Sequence, residues 1–368
     1  MKALIILGTR PEAIKLAPLI KEFEKDQSCH SIVCTTSQHR EMQDDILDLF
    51  HIVPQYDLNL MRKKQDLYYL TTKIIEKINP ILKKESPDIV VVQGDTTTAF
   101  TGALCAFYQK IPIVHIEAGL RTSNIYSPFP EEANRSLIAR MASLHIAPTQ
   151  IAVDSLKKEN IRNNVFKMGN TIVDSVTWIL NKGRVENNNI KKIIDQANPK
   201  VLITVHRREN LGHPLLEIVE AVKCLCDKYP EINFIWPVHP NPNIKDIVHS
   251  AFKKINNLIL IEPLSYQSMI HLINNSKLIL SDSGGIQEES MILQKPILVL
   301  RKETERYEII DSGLGYLVGS KKEKIVTMFE KLITDKSEPI THNDSIYGAP
   351  GVSSKILEII KKIYKRGG

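Results

Sequence analysis

The 368-residue sequence lacks the features that mark several classes of protein. It has no run of about 18 apolar residues, so we expect no membrane-spanning helix. Its five cysteines are odd in number and show no paired C-x-x-C spacing, which argues against a disulfide framework and a zinc site. A reducing, cytoplasmic setting fits this cysteine usage. Met1 to Gly8 carry no small-residue cleavage pattern, so we expect a first strand there rather than a signal peptide.

Signals for nucleic acid and for common nucleotide cofactors are also missing. The net charge is only +6, and the lysine-rich runs Lys321 to Lys324 and Lys361 to Arg366 have no interleaved aromatic residues. Such runs are typical of solvated helix faces, although a preference for an anionic small ligand stays open. Neither G-x-G-x-x-G nor the P-loop pattern occurs, which argues against hydride transfer and nucleoside-triphosphate hydrolysis.

The sequence does contain a regular alternation of strand-like and helix-like segments, which is typical of parallel α/β sheets. The predicted strands are Ala3 to Leu7, Ile32 to Thr36, Ile89 to Gln93, Ile113 to Ile116, Val201 to Val205, Asn233 to Val238, Leu258 to Ile261, Leu278 to Ser281 and Ile297 to Leu300.

The chain length and a break in this alternation predict two domains. The alternation pauses over Lys182 to Lys200, and we place the boundary slightly earlier, near Gly169 to Thr171. We therefore predict two Rossmann-like α/β domains, residues 1–170 and 171–352, with a cleft between them. An amphipathic helix at about 353–366 is expected to pack back on the first domain.

Two carboxylates directly follow predicted strands. Asp95 lies in Gly94-Asp95-Thr96 after Ile89 to Gln93, and Glu117 comes after Ile113 to Ile116. In open α/β sheets ligands bind at the carboxyl ends of the strands. We therefore expect both carboxylates at a ligand-binding edge.

Three more titratable side chains occupy comparable positions. Glu131 follows a proline-rich loop and lies near the first turn of a predicted helix, where it either complements the helix dipole or points at the site. His206, next to Arg207, follows a strand and is a candidate acid or charged donor beside a phosphate. His239 follows the next strand and is a weaker candidate of the same kind.

Two helix starts suggest phosphate binding. Thr9 as cap and Glu12 three residues later predict a helix start flanked by Arg10 and Lys15, whose charges suit a phosphate, although an ordinary capped helix explains the same pattern. In the second half, a Ser-Gly-Gly turn at Ser283, Gly284 and Gly285 follows a strand. Its backbone amides could hold a diphosphate, and Glu289, one turn later, could accept hydrogen bonds from ribose hydroxyls.

Six motifs taken together closely resemble the non-hydrolysing UDP-N-acetylglucosamine 2-epimerase family, from residue 1 to about 365. They are Gly8-Thr9-Arg10-Pro11-Glu12, Gln38-His39-Arg40-Glu41-Met42, Gly94-Asp95-Thr96, Glu117-Ala118-Gly119-Leu120-Arg121-Thr122, His206-Arg207-Arg208-Glu209-Asn210 and Asp282-Ser283-Gly284-Gly285. The resemblance implies the two-domain glycosyltransferase-B architecture. It also implies interconversion of UDP-N-acetylglucosamine and UDP-N-acetylmannosamine through loss and return of UDP.

The resemblance assigns roles to residues. It implies Asp95, Glu117, Glu131 and His206 as catalytic groups. The matching nucleotide-sugar contacts are Arg10, Lys15, Ser283, Gly284, Gly285, Glu289 and Arg306. Leu264 and Met269 stand at the nucleotide where some members have Gln and Phe, while Tyr307 and Ala349 also depart from the family pattern. Neither a metal nor a nicotinamide cofactor is implied, because the reaction is redox-neutral and basic residues can hold the leaving group.

The resemblance also implies a homodimer and, in bacterial members, a second UDP-N-acetylglucosamine that activates the enzyme. Gln38, His39, Arg207 and His239 are candidates for that site, and Glu131 also fits it.

Four alternatives stay open. They are a hydrolysing relative that releases N-acetylmannosamine and UDP, an epimerase acting on a 2,3-diacetamido UDP-uronic acid, a glycosyltransferase of the same architecture, and a non-catalytic nucleotide-sugar sensor. The complete carboxylate set disfavours the sensor, because binding alone does not require three convergent acids.

Overall fold

The structure, a computed structural model of the chain, describes residues 1–37, 40–62, 65–122, 124–183, 185, 187–252, 255–334 and 346–364. The chain divides into two compact units. One comprises residues 1–177 with 346–368, and the other comprises 178–345. Each has its own parallel sheet, with helices between successive strands.

The first unit is built on a sheet of strands β1 (Lys2–Leu7), β2 (His30–Thr35), β3 (Tyr56–Asp57), β4 (Ile89–Gln93), β5 (Ile113–Ile116), β6 (Leu144–Ala147) and β7 (Val165–Lys167). Its helices are α1 (Arg10–Lys25), α2 (Arg40–Leu49), α3 (Leu67–Glu85), α4 (Thr97–Tyr108), α5 (Glu131–Met141) and α6 (Gln150–Lys158), and α7 (Ile172–Asn181) crosses into the second unit. The central strands are continuous apolar runs because helices bury both of their faces.

The second unit contains β8 (Lys200–Thr204), β9 (Asn233–Pro237), β10 (Leu258–Ile261), β11 (Leu278–Ser281), β12 (Ile297–Val299) and β13 (Gly315–Leu317). Its helices are α8 (Asn188–Ile194), α9 (His213–Lys228), α10 (Pro242–Ala251), α11 (Tyr266–Asn274), α12 (Gly284–Ile292), α13 (Tyr307–Asp311) and α14 (Lys322–Thr334), with a 3-10 helix at Arg208–Asn210. Helix α15 (Val352–Tyr364) belongs to the first unit, where it contacts α1 and where Lys361 pairs with Asp26.

Both sheets share one strand order. It is β3-β2-β1-β4-β5-β6-β7 in the first unit and β10-β9-β8-β11-β12-β13 in the second, with every neighbouring pair parallel. This is the doubly wound order, and its direction reverses between β1 and β4 and between β8 and β11. The predicted α/β class is confirmed, and ligand binding is expected at the carboxyl ends of those four strands.

Four strands were not predicted: β3, β6, β7 and β13. Three of them have two or three residues, which is too short to show a periodicity. β6 has four residues, but His145 interrupts its apolar pattern while being buried itself. The helix predicted from Thr171 is α7, and the part of the C-terminal helix predicted beyond Tyr364 lies outside the described residues.

Candidate functional site

In the first unit the predicted carboxylates stand at the edge where the strand order reverses. Asp95 follows β4 by two residues, Glu117 follows β5 directly, and β4 and β5 are paired neighbours with Gln93 opposite Ile116. The predicted placement of both residues at the carboxyl ends of strands is therefore confirmed.

Glu117 is held by three side chains from separate parts of the unit. Lys15 on α1 forms an ion pair with its Oε1, and the Nε2 of Gln93 donates to its Oε2. The Nδ2 of Asn170 also donates to Oε1, at 3.2 Å. The backbone of Glu117 has a φ of +64°, a left-handed conformation that costs roughly 1–3 kcal/mol for a residue with a side chain and is common at functional sites.

Asp95 is anchored by helix α5. The Nη2 of Arg135 donates to its Oδ2 at 2.5 Å, and the Nδ2 of Asn134 donates to its backbone carbonyl at 2.9 Å. Glu131 is the first residue of the same helix, in the first turn as the sequence predicted, and it is half-buried. The helix that carries the third predicted carboxylate therefore also fixes the first.

The predicted start of helix α1 is confirmed, because Thr9 is its N-cap by backbone conformation. The side chain of Thr9 makes no capping bond, and its hydroxyl donates to Glu12 at 2.8 Å. The Glu12 carboxylate also accepts from the backbone N–H of Gly8 at 3.0 Å and from the hydroxyl of Thr96 at 2.7 Å. Burial nevertheless dominates and raises the pKa of Glu12 to about 7, with the hydrogen bonds opposing it.

This carboxylate connects the loops that follow β1 and β4. Arg10 is the first residue of α1, directly after the first loop, and Asp95 precedes Thr96 in the second loop. The sequence predicts Lys15 at a phosphate. In the structure its side chain forms an ion pair with Glu117 and is only 7% exposed. The phosphate role of Arg10 and Lys15 stays a prediction.

In the second unit Asp282 organises the segment after β8. Its carboxylate accepts from the backbone N–H of His206 at 3.0 Å and of Arg207 at 2.9 Å, and from the Nδ2 of Asn210 at 2.9 Å. It also lies 3.0 Å from the Nδ1 of His206. Burial acts to raise the pKa of Asp282, but the hydrogen bond and charge of His206 and the other donors together hold it below its usual range.

Gly284 and Gly285 lie in a helix rather than in a turn. Ser283 is the N-cap of α12, its hydroxyl accepts from the N–H of Ile286, and the two glycines form the first turn. The predicted Ser-Gly-Gly turn is therefore wrong in form, because the helix already begins at Gly284. Free N–H groups of a first helical turn can bind an anion.

Two guanidinium groups and one carboxylate lie close to this helix start. A Cβ atom built on Gly284 would lie 3.6 Å from Nη2 of Arg207, 3.6 Å from Oε1 of Glu305 and 3.7 Å from Cζ of Arg306. Among the residues that the structure describes, the buried Nε of Arg207 has no hydrogen-bond partner. Arg306 contacts Glu288 at 2.9 Å and Glu305 at 3.1 Å, and although burial opposes ionisation of Glu305, Arg306 and Arg301 lower its pKa to about 2.

The remaining predicted residues have these positions. Glu289 is buried on α12, and its Oε1 would lie 4.0 Å from a Cβ built on Gly285. The ring of His239 stacks on that of His206 with 6.1 Å between centroids, and burial lowers its pKa. Leu264 and Met269 are half-buried at the start of α11, which contacts α12. Gln38 and His39 lie outside the described residues.

Several contacting residues were missed by the sequence reasoning. Gln93 ends an apolar strand just before Gly94, and this position alone could have signalled it. His115 is buried inside β5, where burial lowers its pKa to about 3, so the neutral ring donates from Nε2 to the carbonyl of Gly94 at 2.8 Å. Asn170 and Arg135 carried no local signal, because their partners lie 53 and 40 residues away.

The described residues also bear on metal binding and membrane insertion. Within the part of the chain that the structure describes, no group of three or more His, Cys, Asp or Glu residues could hold a metal ion. Over the same residues, no helix is both long enough and apolar enough to cross a bilayer.

Comparison with known proteins gives consistent relatives. A profile described as UDP-N-acetylglucosamine 2-epimerase matches residues 21–361. The UDP-N-acetylglucosamine 2-epimerase of Escherichia coli (strain K12) is 43% identical over 370 residues, which cover 98% of each chain.

Solved structures agree. The UDP-GlcNAc 2-epimerase of Neisseria meningitidis, bound to UDP-GlcNAc, is similar with a TM-score of 0.90 and 44% identity over 98% of this chain and 100% of its own. The Methanocaldococcus jannaschii enzyme in complex with UDP-GlcNAc and UDP has a TM-score of 0.85 and 35% identity, over 98% and 100%. A glycosyltransferase from Rickettsia africae, at 14% identity and a TM-score of 0.61, shares the fold alone.

Proposed function

The chain belongs to the UDP-N-acetylglucosamine 2-epimerase family, and from that premise we propose that it interconverts UDP-N-acetylglucosamine and UDP-N-acetylmannosamine without net hydrolysis. The proposed route is elimination of UDP from C1 to give 2-acetamidoglucal, followed by return of UDP. We propose that the two domains predicted from the sequence have different roles. Residues 1–170 with 353–366 would carry out proton transfer, and residues 171–352 would bind UDP.

The chemistry explains why carboxylates and cations are both needed. The C2 hydrogen of a sugar is only weakly acidic, so its removal is coupled to loss of the leaving group. A carboxylate takes the C2 proton, the C–H electron pair forms the C1–C2 double bond, and the C1–O pair leaves with UDP. In the return step UDP oxygen adds to C1 and a proton is delivered to the opposite face of C2.

The observation that carries the proposal is the environment of the Glu117 carboxylate. Its side chain is only 8% exposed and is contacted by Lys15, Gln93 and Asn170 at the sheet edge where Asp95 also stands. A carboxylate held in this way at the carboxyl ends of the strands is a candidate to accept the C2 proton. We assign proton transfer at C2 to Asp95 and Glu117, with Glu131 and His206 assisting.

We propose that residues of the second unit bind UDP. The first turn of α12, with Ser283, Gly284 and Gly285, offers backbone N–H groups to the diphosphate, and Arg207 and Arg306 add positive charge. These cations counter the charge that grows on UDP as the C1–O bond breaks. Glu289, Leu264 and Met269 are assigned to the nucleoside, and Arg10 with Lys15 to the same nucleotide sugar.

Two further proposals follow from the family resemblance of the sequence. We assign the chain a homodimeric state, which sedimentation velocity tests, and a second UDP-N-acetylglucosamine as activator. Arg207 and His239 are its candidate contacts among the described residues, with Gln38 and His39 as further candidates. With UDP-N-acetylmannosamine as sole substrate, activation predicts a lag that added UDP-N-acetylglucosamine removes.

Incubation with UDP-N-acetylglucosamine in deuterated water tests the function. We expect deuterium at C2 of both UDP-sugars, detected by NMR and mass spectrometry. Free N-acetylmannosamine with an equal amount of UDP would instead identify a hydrolase, and the absence of C2 exchange without an added acceptor would point to a glycosyltransferase or a sensor. If deuterium exchange occurred only with a UDP-2,3-diacetamido uronic acid, the substrate would differ from the proposed one, but the type of reaction would be the same.

A further inference from the structure

Asn170 is hydrogen-bonded through both its side chain and its backbone at the point where the chain leaves the first sheet. Its Oδ1 accepts from the backbone N–H of Ile172 at 3.1 Å, and its Nδ2 donates to Oε1 of Glu117 at 3.2 Å. Its own backbone N–H donates to the carbonyl of Tyr347 at 2.9 Å. The residue is 3% exposed, so these bonds form away from bulk water.

We propose that Asn170 is a positioning residue for the epimerisation, which fixes the orientation of the Glu117 carboxylate toward its substrate. This inference rests on the proposed function, because it assigns Asn170 its effect through Glu117. Asn170 itself is not assigned a contact with the reacting atoms.

The hydrogen bonds define which way the side-chain amide faces. An amide has one acceptor oxygen and one donor nitrogen, and the bond from Ile172 requires the oxygen on the helix side. The nitrogen must then face Glu117. The reversed amide would bring its oxygen against a carboxylate oxygen and its N–H₂ against a backbone N–H, which is unfavourable at both ends.

The backbone around Asn170 restricts movement of this amide. Gly169 has a φ of +96°, and a Cβ atom built on it would lie 2.3 Å from the carbonyl oxygen of Tyr347, so the two segments approach too closely for any other residue. Nearby, the Asp174 carboxylate accepts from the backbone N–H groups of Gly351 and Ser353, both at 2.6 Å. The returning C-terminal segment therefore braces the turn that carries Asn170.

The other partners of Glu117 act from different directions. Lys15 binds the same Oε1 from α1, and Gln93 binds Oε2 from the end of β4. A flexible lysine supplies charge but little directionality, whereas the amide of Asn170 is held at its own far end. Loss of the Asn170 donor is therefore expected to misorient the carboxylate while leaving its charge partner in place.

Two substitutions separate the bond to Glu117 from the bond to Ile172. Asn170→Ser keeps an oxygen that can accept from Ile172 but is too short to reach Glu117, and Asn170→Asp keeps the acceptor for Ile172 but places a second carboxylate against Glu117. We expect kcat to fall about tenfold in the first and about a hundredfold in the second, with KM within about threefold of the wild type. The rate of C2 deuterium exchange should fall in the same order.

Asp174→Asn is the matched control, because it loosens the same C-terminal brace without touching Glu117. We expect its kcat to stay within about threefold of the wild type even if its melting temperature falls. The inference is overturned if Asn170→Ser and Asn170→Asp both keep kcat within threefold, or if Asp174→Asn lowers kcat as much as they do. If the wild type itself shows no C2 exchange, the proposed function fails instead, so the two failures are distinguishable.

Discussion

The carboxylate of Asp282 holds His206 twice, through the backbone N–H at 3.0 Å and through Nδ1 of the ring at 3.0 Å. With Nδ1 facing the carboxylate, that nitrogen carries the proton and Nε2 is the atom left to serve a ligand. The side chain of Asp282 is fully buried, whereas that of His206 is 39% exposed. The buried Asp282 therefore fixes both the position and the tautomer of the accessible His206 ring.

Asp282→Asn should lower kcat about a hundredfold, because the amide can donate to Nδ1 and stabilise the wrong tautomer. Steady-state kinetics checks this. Asn210→Ala is the control, since it removes another Asp282 contact without touching the ring and should cost about 1–3 kcal/mol of stability with a smaller kinetic effect. An Asp282→Asn enzyme within threefold of the wild-type kcat would show that the imidazole needs no such orientation.

The buried pair of Lys15 and Glu117 should behave as a coupled unit in stability. Removing one charge leaves the other buried without its counter-charge, which typically costs about 3–5 kcal/mol. The stability losses of Lys15→Met and Glu117→Gln should therefore add up to more than the loss in the double variant. A double-mutant cycle from urea unfolding should give a coupling of at least about 1 kcal/mol.

The exposed pair of Lys73 and Glu76 on α3 is the matched comparison for that cycle. The same type of cycle there should give less than about 0.5 kcal/mol, because solvent screens exposed charges. Equal coupling at the two pairs would mean that burial does not strengthen the Lys15–Glu117 interaction.

Much of the fold was readable because parallel strands leave a strong local signal. Runs such as Ile89–Gln93 and Leu278–Ser281 were placed to the residue, since burial on both faces demands continuous apolar side chains. The short strand Gly315–Leu317 was missed because its pairing with β12, rather than its own composition, makes it a strand. The helical start at Gly284 was missed because glycine locally favours a turn, whereas the Ser283 cap decides the outcome.

Gly285→Ala should stabilise the protein and weaken UDP binding. Alanine is better than glycine in a helix by about 1 kcal/mol, and the new Cβ meets no atom closer than 4.0 Å within the protein. Those nearest atoms are Oε1 of Glu289 and Oγ of Ser283, both assigned to the nucleotide, so the methyl group would enter the proposed ligand space. Thermal unfolding and UDP titration calorimetry measure the two effects, and unchanged UDP affinity would argue against a diphosphate at this helix start.

Glu12 predicts a specific pH dependence of stability. Its pKa is about 7 in the folded protein and near 4.5 when unfolded, so between these values the folded state holds a proton that the unfolded state has released. Its contribution is therefore greatest at low pH and is lost as the pH rises through about 7. Relative to Glu12→Gln, the wild type should lose up to about 3 kcal/mol between pH 4.5 and 8.

Urea unfolding of the wild type and of Glu12→Gln from pH 4.5 to 8 isolates the contribution of Glu12. The other titrating groups are the same in the two proteins, so they cancel when the two free energies of unfolding are subtracted. Parallel stability curves would show that the Glu12 carboxyl is not protonated in the folded state at neutral pH.

The site was less predictable than the fold. Position after a strand was enough to place Asp95, Glu117 and His206 at the carboxyl ends of their strands, because these ends share one edge of a parallel sheet. Their partners could not be found in this way. Lys15 lies 102 residues from Glu117, and Asp282 lies 76 residues from His206, so only the folded chain reveals which charge or donor serves which group.

The central claim is that the C1–O bond of the UDP-sugar breaks while the C2 proton is exchanged. The direct measurement uses UDP-N-acetylglucosamine with oxygen-18 in the bridge between C1 and the β-phosphorus, incubated in deuterated water. Elimination predicts deuterium at C2 together with movement of the label into non-bridging positions of the β-phosphate, because released UDP can rotate before it returns. Deuterium at C2 with the label still wholly in the bridge would contradict the account.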